Sequence, residues 1–341
     1  MSLTEKQLER VKASGIKGPD PATRYPFPVP NGWFAVAQSS DLKPGETKNA
    51  HYFGRDLVIW REHGSGTPHV VDAYCAHLGA HLGVGSGAPE SHEPGPGIVH
   101  DACLQCPFHG WRYDGSGTVV EIPYAETKRI PARARVRGYP TVEKNGVISA
   151  WYHALDEAPQ WELPDVWEFD DPDWVGPIYT DRYIDVALQE MAENDVDTVH
   201  FMYVHGTDEI PQQESVIEGR IRRTTAEIGD GATFTRENHQ LGFGVLRITD
   251  LLAFTAVSTP IDEGHVHQRW LFAYPQSVGD DVGQAMVDGF SKAGIYQDIP
   301  IWEHKEYRPH PVLVKGDGLI MEFRRWAEQF YTWPDEAQGS T

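Results

Sequence analysis

Two short motifs, Cys75-Ala76-His77 and Cys106-Pro107-Phe108-His109, each set a thiolate beside an imidazole. Donors of that mixture suit a [2Fe–2S] cluster with Cys75 and Cys106 on one iron and His77 and His109 on the other. Zinc takes two thiolates and two imidazoles as well, but zinc motifs pair Cys with Cys and His with His at close spacing. Here each motif mixes both. Gly79 follows the first motif and Gly110 the second, giving the corners needed where backbone amides turn inward to hydrogen-bond cluster sulfurs. Such a chain accepts and passes single electrons, so a receiving centre is to be sought elsewhere in it.

The segment from Glu190 to His205 supplies a candidate. His200 and His205 stand at i and i+5 among acids, and five helical residues turn about 140° beyond a full circle. Both rings therefore reach one ion only if the helix ends or distorts between them, and Gly206 supports a break. Asp197, at i−3 from His200, shares its helical face and is expected to orient that ring through the nitrogen a metal leaves free. An iron that binds oxygen typically takes two His and one carboxylate and keeps open positions. Asp298 is the expected carboxylate. Residues 283–305 read as one helix in which Val287, Phe290, Gly294, Asp298 and Ile301 share a face, where an acid is costly unless paired or metal-bound. Pro300 is expected to kink this helix. On spacing alone, a solvated acid at 298 and two unrelated histidines at a helix end remain the alternatives.

The elements that must position these donors form an α+β pattern in two parts. From Gly32 to His153 short alternating runs dominate, among them Trp33–Ala37, Asp56–Trp60, His69–Ala73 and Gly146–Trp151, separated by turn signals at Asp114–Gly117 and Asn145-Gly146. We expect an N-terminal extension over 1–29, an all-β cluster domain over 30–155 and a catalytic domain over 156–341 that mixes strands with long helices. Residues 85–97, dense in Gly, Pro and Ser, read as a surface excursion, with His81 and His92 solvated in or near it.

At 341 residues the chain is long enough for two domains. With 29 basic and 50 acidic side chains its formal charge is −21, which argues against nucleic acid or an anionic membrane surface as the main partner. The start, Met1–Arg10, carries charges where a signal peptide has its apolar run, and no run reaches the roughly eighteen apolar residues of a transmembrane segment. The chain reads as soluble, and its sparse cysteines fit a reducing cytoplasm. Against the acidic background Lys128, Arg129, Arg133, Arg135 and Arg137 form a basic run after the cluster loops. It is a candidate landing place for an acidic electron donor, with a solvated strand face as the plainer reading.

Taken together, Cys75-x-His77, Cys106-x-x-His109 and Asn194-x-x-Asp197-x-x-His200-x-x-x-x-His205 resemble the oxygenase component of the Rieske non-haem iron oxygenases. Cys103–Trp111 and Ile122–Glu126 resemble in particular the cholesterol 7-desaturase group. The tail, Gln297–Lys305 followed by Asp317-Gly318 and Phe323–Tyr331, is similar to that group and to the 3-ketosteroid 9α-hydroxylase oxygenases. One departure is the long separation, residues 78–105, between His77 and Cys106, which the excursion accounts for. Respiratory Rieske proteins carry a further Cys in each ligand loop; the matching positions here are Ala80 and Phe108, so that disulfide is absent and a potential toward the low end of the Rieske range is expected.

The resemblance implies a Rieske β domain followed by a helix-grip-like catalytic domain with an antiparallel sheet. It implies a [2Fe–2S] cluster on Cys75, His77, Cys106 and His109, a mononuclear Fe(II) on His200, His205 and Asp298, Asp197 as the link from a cluster histidine to His200, and Asn194 near the open face of the iron. It further implies O2 as co-substrate, NAD(P)H electrons arriving only through a separate ferredoxin or reductase, and a homotrimer in which electrons cross between subunits. The implied enzyme is a Rieske monooxygenase or desaturase that hydroxylates or desaturates a C–H site of a hydrophobic, sterol- or steroid-like substrate. An aromatic acid or alkaloid, hydroxylated or demethylated, is the second reading, and a Rieske electron carrier without oxygenase activity the third.

Overall fold

In the computed structural model, residues 24–89, 91–228, 232–294 and 296–333 are described. The Met1–Arg10 reading, and the part of the 1–29 extension before Arg24, lie outside them. The chain divides into two compact units, one of Trp33–Leu163 and one that joins the described residues up to Gly32 to those from Pro164 onward.

The first unit is built of short antiparallel strands. Thr47–Tyr52, Arg55–Arg61, Pro68–Asp72 and Gly138–Tyr139 make one sheet, Ile98–His100, Cys103–Gln105, Arg112–Tyr113 and Val119–Glu121 a second, and Gly32–Gln38, Val147–Tyr152 and Thr141–Lys144 a third. Asn145 and Gly146 join the last two strands with φ of 57° and 77°, the left-handed pair a tight hairpin needs. Val58, Trp60, Leu82, Leu104 and Tyr113 pack together fully buried, and Cys75 and Cys106 belong to the same core. Each such buried aliphatic contributes about 1.5–3 kcal/mol, so the segments that end in the ligand loops are anchored from behind.

The 85–97 segment is an excursion closed by its own stem, in which Val84–Gly85 pairs with Gly95–Pro96. A Cβ on Gly85 would stand 2.2 Å from the Pro96 carbonyl oxygen, so only glycine lets the arms close. His92 is exposed, but the solvated reading fails for His81. That ring is half-buried, edge-on to Tyr74 at 5.4 Å, with Nδ1 accepting from the Gly83 N–H at 3.1 Å.

The second unit centres on a seven-stranded antiparallel sheet in the order Trp174–Ile184, Val266–Pro275, Leu252–Pro260, Phe243–Ile248, Ala232–Gln240, Ile221–Ile228, Gln213–Glu218. This is the α+β, antiparallel architecture the sequence implies. The helix Asp280–Gly289 lies on the sheet, with Val287 among Leu246, Phe254, Phe272 and Tyr274 and Gly283 flat against the Tyr274 ring. The single helix expected over 283–305 is not formed. After Gly289 the chain passes through a π-turn segment, Phe290–Gly294, and a new short helix, Ile299–Trp302, begins after Asp298. Pro300 falls in the first turn of this helix, where its missing N–H is harmless, so it starts a helix rather than kinking one. Ile301, expected on the buried face, is consequently exposed. Among the described residues no helix is long and apolar enough to cross a membrane.

Candidate cluster and metal sites

The two cysteine loops are built alike. Cys75 N–H donates to the Ala80 carbonyl at 2.9 Å and Gly79 N–H to the Cys75 carbonyl at 2.9 Å, while Cys106 N–H donates to Trp111 at 2.8 Å and Gly110 N–H to Cys106 at 3.0 Å. Gly79 and Gly110 take φ of 74° and 73°, the corner each loop requires. The Cys75 thiol is pulled down to about 5, first by a hydrogen bond from Cys106 and then by Tyr113 and the backbone amides of His77 and Leu78, against its burial. Cys106 is pushed the other way by the same sulfur contact, although the Phe108 and His109 amides aim at it. One thiol is thus favoured as thiolate beside the other, with backbone amides aimed at both, and Cys75 and Cys106 would hold the cationic iron of a cluster through their sulfurs.

The imidazoles complete the set. His77 and His109 lie edge-to-face at 4.8 Å, and Trp111 stacks on His77 at 4.6 Å while its Nε1 donates to the Tyr124 hydroxyl at 2.9 Å. His77 Nδ1 is buried with no hydrogen-bond partner, as a nitrogen reserved for a metal should be. The residues therefore fit the cluster. Tyr113, which nothing in the sequence separates from an ordinary core tyrosine, accepts from the Ala76 N–H at 3.0 Å and meets the Cys75 sulfur at 3.0 Å.

In the second unit the helix His200–Tyr203 ends before His205. The backbone break expected between the two rings is present. His200, His205 and Asp298 each turn one ligand atom to a common point, all within 4.8 Å of one another. The rings are 5.1 Å apart at 74°, and Asp298, 6% exposed, stands 3.4 Å from His205 Nε2 and 4.0 Å from His200 Nε2. Asp298, with Gln297, holds the His205 imidazole above its ordinary pKa.

Both outer nitrogens are occupied. His205 Nδ1–H donates to Gln297 Oε1 at 2.9 Å, and His200 Nδ1–H to the main-chain carbonyl of Asp197 at 2.5 Å. Each ring is thereby fixed in the tautomer that leaves an Nε2 lone pair for a cation, so the donor set fits a mononuclear iron. The helical-face expectation for Asp197 needs correction. Asp197 precedes the helix, so its carbonyl orients His200 while the carboxylate sits 3.9 Å from Nδ1 and its side chain is 43% exposed. The nearby His200 ring still lowers the Asp197 carboxyl below its usual range.

Asn194 completes the site. Its Nδ2 lies 3.2 Å from His200 Nε2 and 3.3 Å from Asp298 Oδ2, and Trp302 Nε1 donates to its Oδ1 at 3.4 Å. The acids around it are structural. Glu190 pairs with Lys305 at 2.6 Å, Glu193 takes both arms of Arg324 at 2.6 and 2.9 Å, and Asp195 is held by Arg236 and by Asn238 at 3.0 Å. A cavity of about 600 Å³ adjoins His200, His205 and Asp298, with Leu246, Phe254, Trp270, Met286 and Phe290 in its wall.

Of the basic run in the first unit, Lys128, Arg129, Arg133 and Arg135 are exposed. Arg137 is not part of that face. It donates to the His153 carbonyl at 2.7 Å, pairs with Asp156 and lies over the rings of Tyr139 and Tyr152 at 4.7 and 5.2 Å.

Compared with known proteins, residues 32–153 match the family model described as the Rieske [2Fe-2S] domain, and residues 150–331 the one described as the 3-Ketosteroid 9alpha-hydroxylase C-terminal domain. The cholesterol 7-desaturase of Caenorhabditis elegans is 29% identical over 96% of this chain and 82% of its own length. That of Drosophila melanogaster is 30% identical over 90% and 76%. The oxygenase component of the 3-ketosteroid-9-alpha-monooxygenase of Rhodococcus rhodochrous is 25% identical over 97% and 89%. Among solved structures, dicamba monooxygenase bound to dicamba has a TM-score of 0.72 at 19% identity, covering 91% of this chain and 98% of that one. The QL mutant of NdmA from Pseudomonas putida CBB5 with caffeine reaches 0.72 at 21%, covering 87% and 89%. At those identities the solved structures speak for the fold alone.

Proposed function

Because this chain belongs to the Rieske non-haem iron oxygenases, with a catalytic half of the ketosteroid-hydroxylase type, we propose that it hydroxylates or desaturates a C–H site of a sterol- or steroid-like substrate. The family membership supplies a reductase partner and a small-molecule substrate. The observation that carries the substrate class is the largely apolar cavity of about 600 Å³ beside His200, His205 and Asp298, in the range of roughly 300–1,000 Å³ that suits such ligands. Arg236 also lines the cavity, but it is ion-paired with Asp195, so its charge is already spent. That disfavours an aromatic acid, whose carboxylate would need an unspent cation in the wall.

When bound at the His200, His205 and Asp298 atoms, a ferrous ion supplies reductive activation of O2, with electrons delivered from the cluster. The chain's own residues set the conditions. The Asp197 carbonyl and Gln297 fix the two imidazoles, Asp298 contributes the neutralising charge, and Trp302 orients Asn194 so that its N–H2 lies at the edge of the ligand set. The apolar wall excludes water and holds a C–H bond by shape. Small shifts of the substrate decide between loss of one hydrogen with hydroxyl transfer and loss of two.

We further propose a homotrimer in which Asp197 receives electrons from a neighbouring subunit's cluster. Support comes from contrast: Glu190, Glu193 and Asp195 are each taken up by cations, whereas the Asp197 side chain stays 43% exposed beside His200. The thiols, none joined in a disulfide, support the cytoplasm as location. The test is product analysis by mass spectrometry on reconstituted protein with a surrogate ferredoxin and reductase, across sterols, steroids, an aromatic acid and a methylxanthine. Oxygen-dependent hydroxylated or desaturated sterols are expected; oxidation of the acid or alkaloid alone overturns the reading.

A further inference from the structure

The cavity is not uniformly apolar. On the strand Val266–Pro275, Gln268 and Trp270 occupy alternate positions and so share the face that lines it. Gln268 is 8% and Trp270 9% exposed, yet Gln268 Oε1 and Trp270 Nε1 are both buried without a hydrogen-bond partner. A buried donor and a buried acceptor left unpaired on neighbouring residues are costly, and folded chains keep few such atoms without a use. The same sign, an orphaned buried nitrogen, marks His77 at the cluster.

The surroundings form a polar corner. Ser258, the cross-strand partner of Gln268, lines the cavity beside it, and Ala256, the partner of Trp270, adds only a methyl group opposite the indole. On the other flank Thr180 and Arg182 pair with Trp270 and Gln268, and a second, small hollow lined by Thr180, Asp181, Arg182 and Ser291 abuts the same two side chains. The other polar side chains of the wall beyond the histidine and aspartate donors, Asn194, Asp195, Arg236, Asn238, Gln240 and Gln297, are engaged within the protein, so one unspent polar pair amid aromatic and aliphatic groups matches a ligand with one oxygen function on a hydrocarbon frame.

We propose that Gln268 and Trp270 seat a hydroxyl group of the substrate, with Trp270 Nε1–H donating to its oxygen and its O–H donating to Gln268 Oε1. A hydroxyl satisfies both atoms at once, a ketone only the indole, and a hydrocarbon neither. The substrate is therefore an alcohol and, resting on the sterol reading above for its frame, a hydroxysterol rather than a ketosteroid.

The test measures dissociation constants of the reconstituted holoenzyme under argon for a matched steroid alcohol, ketone and hydrocarbon, and for naphthol against naphthalene. The alcohol should bind roughly 10- to 100-fold more tightly than the matched hydrocarbon. Trp270→Phe and Gln268→Leu should each shrink that ratio while leaving hydrocarbon affinity in place. Equal affinity for alcohol and hydrocarbon in the wild-type protein overturns the proposal, and so does a ketone bound as tightly as the alcohol. If no steroid binds but naphthol outbinds naphthalene and the variants erase the difference, the polar corner stands and the sterol reading falls. If steroids bind without preference, the reverse holds. The wild-type comparison decides even where a variant fails to fold, which its cluster absorbance reveals.

Discussion

Tyr113 touches both the Cys75 sulfur and the Ala76 amide, and so reaches the cluster's electronics without being a ligand. A hydrogen bond to a cluster sulfur stabilises the more negative, reduced form. Tyr113→Phe should keep the cluster and lower its potential by roughly 40 mV, the one-electron equivalent of a hydrogen bond of about 1 kcal/mol, read in a redox titration followed by EPR. An unchanged potential would mean the hydroxyl does not reach the sulfur when the cluster is bound. His200→Ala tests the other centre: the reduced-state cluster signal should persist while iron analysis drops from about three to about two per chain and turnover vanishes. At this scale the sequence is readable where donors are neighbours, as in Cys75-x-His77 and Cys106-x-x-His109. Tyr113 and Gln297 were opaque because their chemistry depends on partners far along the chain, Cys75 and His205, and neither residue type announces a role.

Among elements, the acidic stretch before the histidine pair divides into scaffold and exposed parts. Glu193 and Arg324 are both buried and join the segment after Leu188–Ala192 to the helix Ile320–Glu328. Glu193→Gln leaves the guanidinium without its counter-charge and should cost about 3–5 kcal/mol, seen as a lowered denaturant midpoint. Asp197→Asn should behave oppositely: the carbonyl that orients His200 is retained, so stability should hold while turnover falls roughly 10- to 100-fold. A matching loss of stability would make Asp197 structural. Spacing singled out Asp197 but gave no sign of the part Glu193 plays, since its pairing with Arg324 is invisible from local pattern. Likewise the three-and-four periodicity over 283–305 placed Asp298 on a buried face, yet the chain reaches that burial by a π-turn segment and a fresh helix. Apolar periodicity cannot register such an interruption, because Val287 and Asp298 are buried either way.

For the whole molecule, alternating runs and turn residues made the β character of the first half legible, while the seven-strand order of the second depends on long-range pairing that no window of sequence displays. Charge was legible in amount and less so in placement. Of the basic run, Arg137 is consumed by Asp156 and two tyrosine rings, and the exposed face is left to Lys128, Arg129, Arg133 and Arg135. On a chain of net charge −21, such a face should steer an acidic ferredoxin. Arg133→Glu with Arg135→Glu should slow stopped-flow reduction of the cluster, more strongly at low ionic strength; salt-independent, unaltered kinetics would move the donor elsewhere.

The excursion at 85–97 is fastened mainly to itself, with Gly85 seated on the Pro96 carbonyl, Gly87 on that of Glu93 and Gly95 on that of Ser86. A hairpin so self-contained is a natural port for foreign sequence: an affinity peptide spliced in next to the outward-facing Pro89 should leave the cluster's visible spectrum untouched, giving a handle for immobilising this redox module on an electrode.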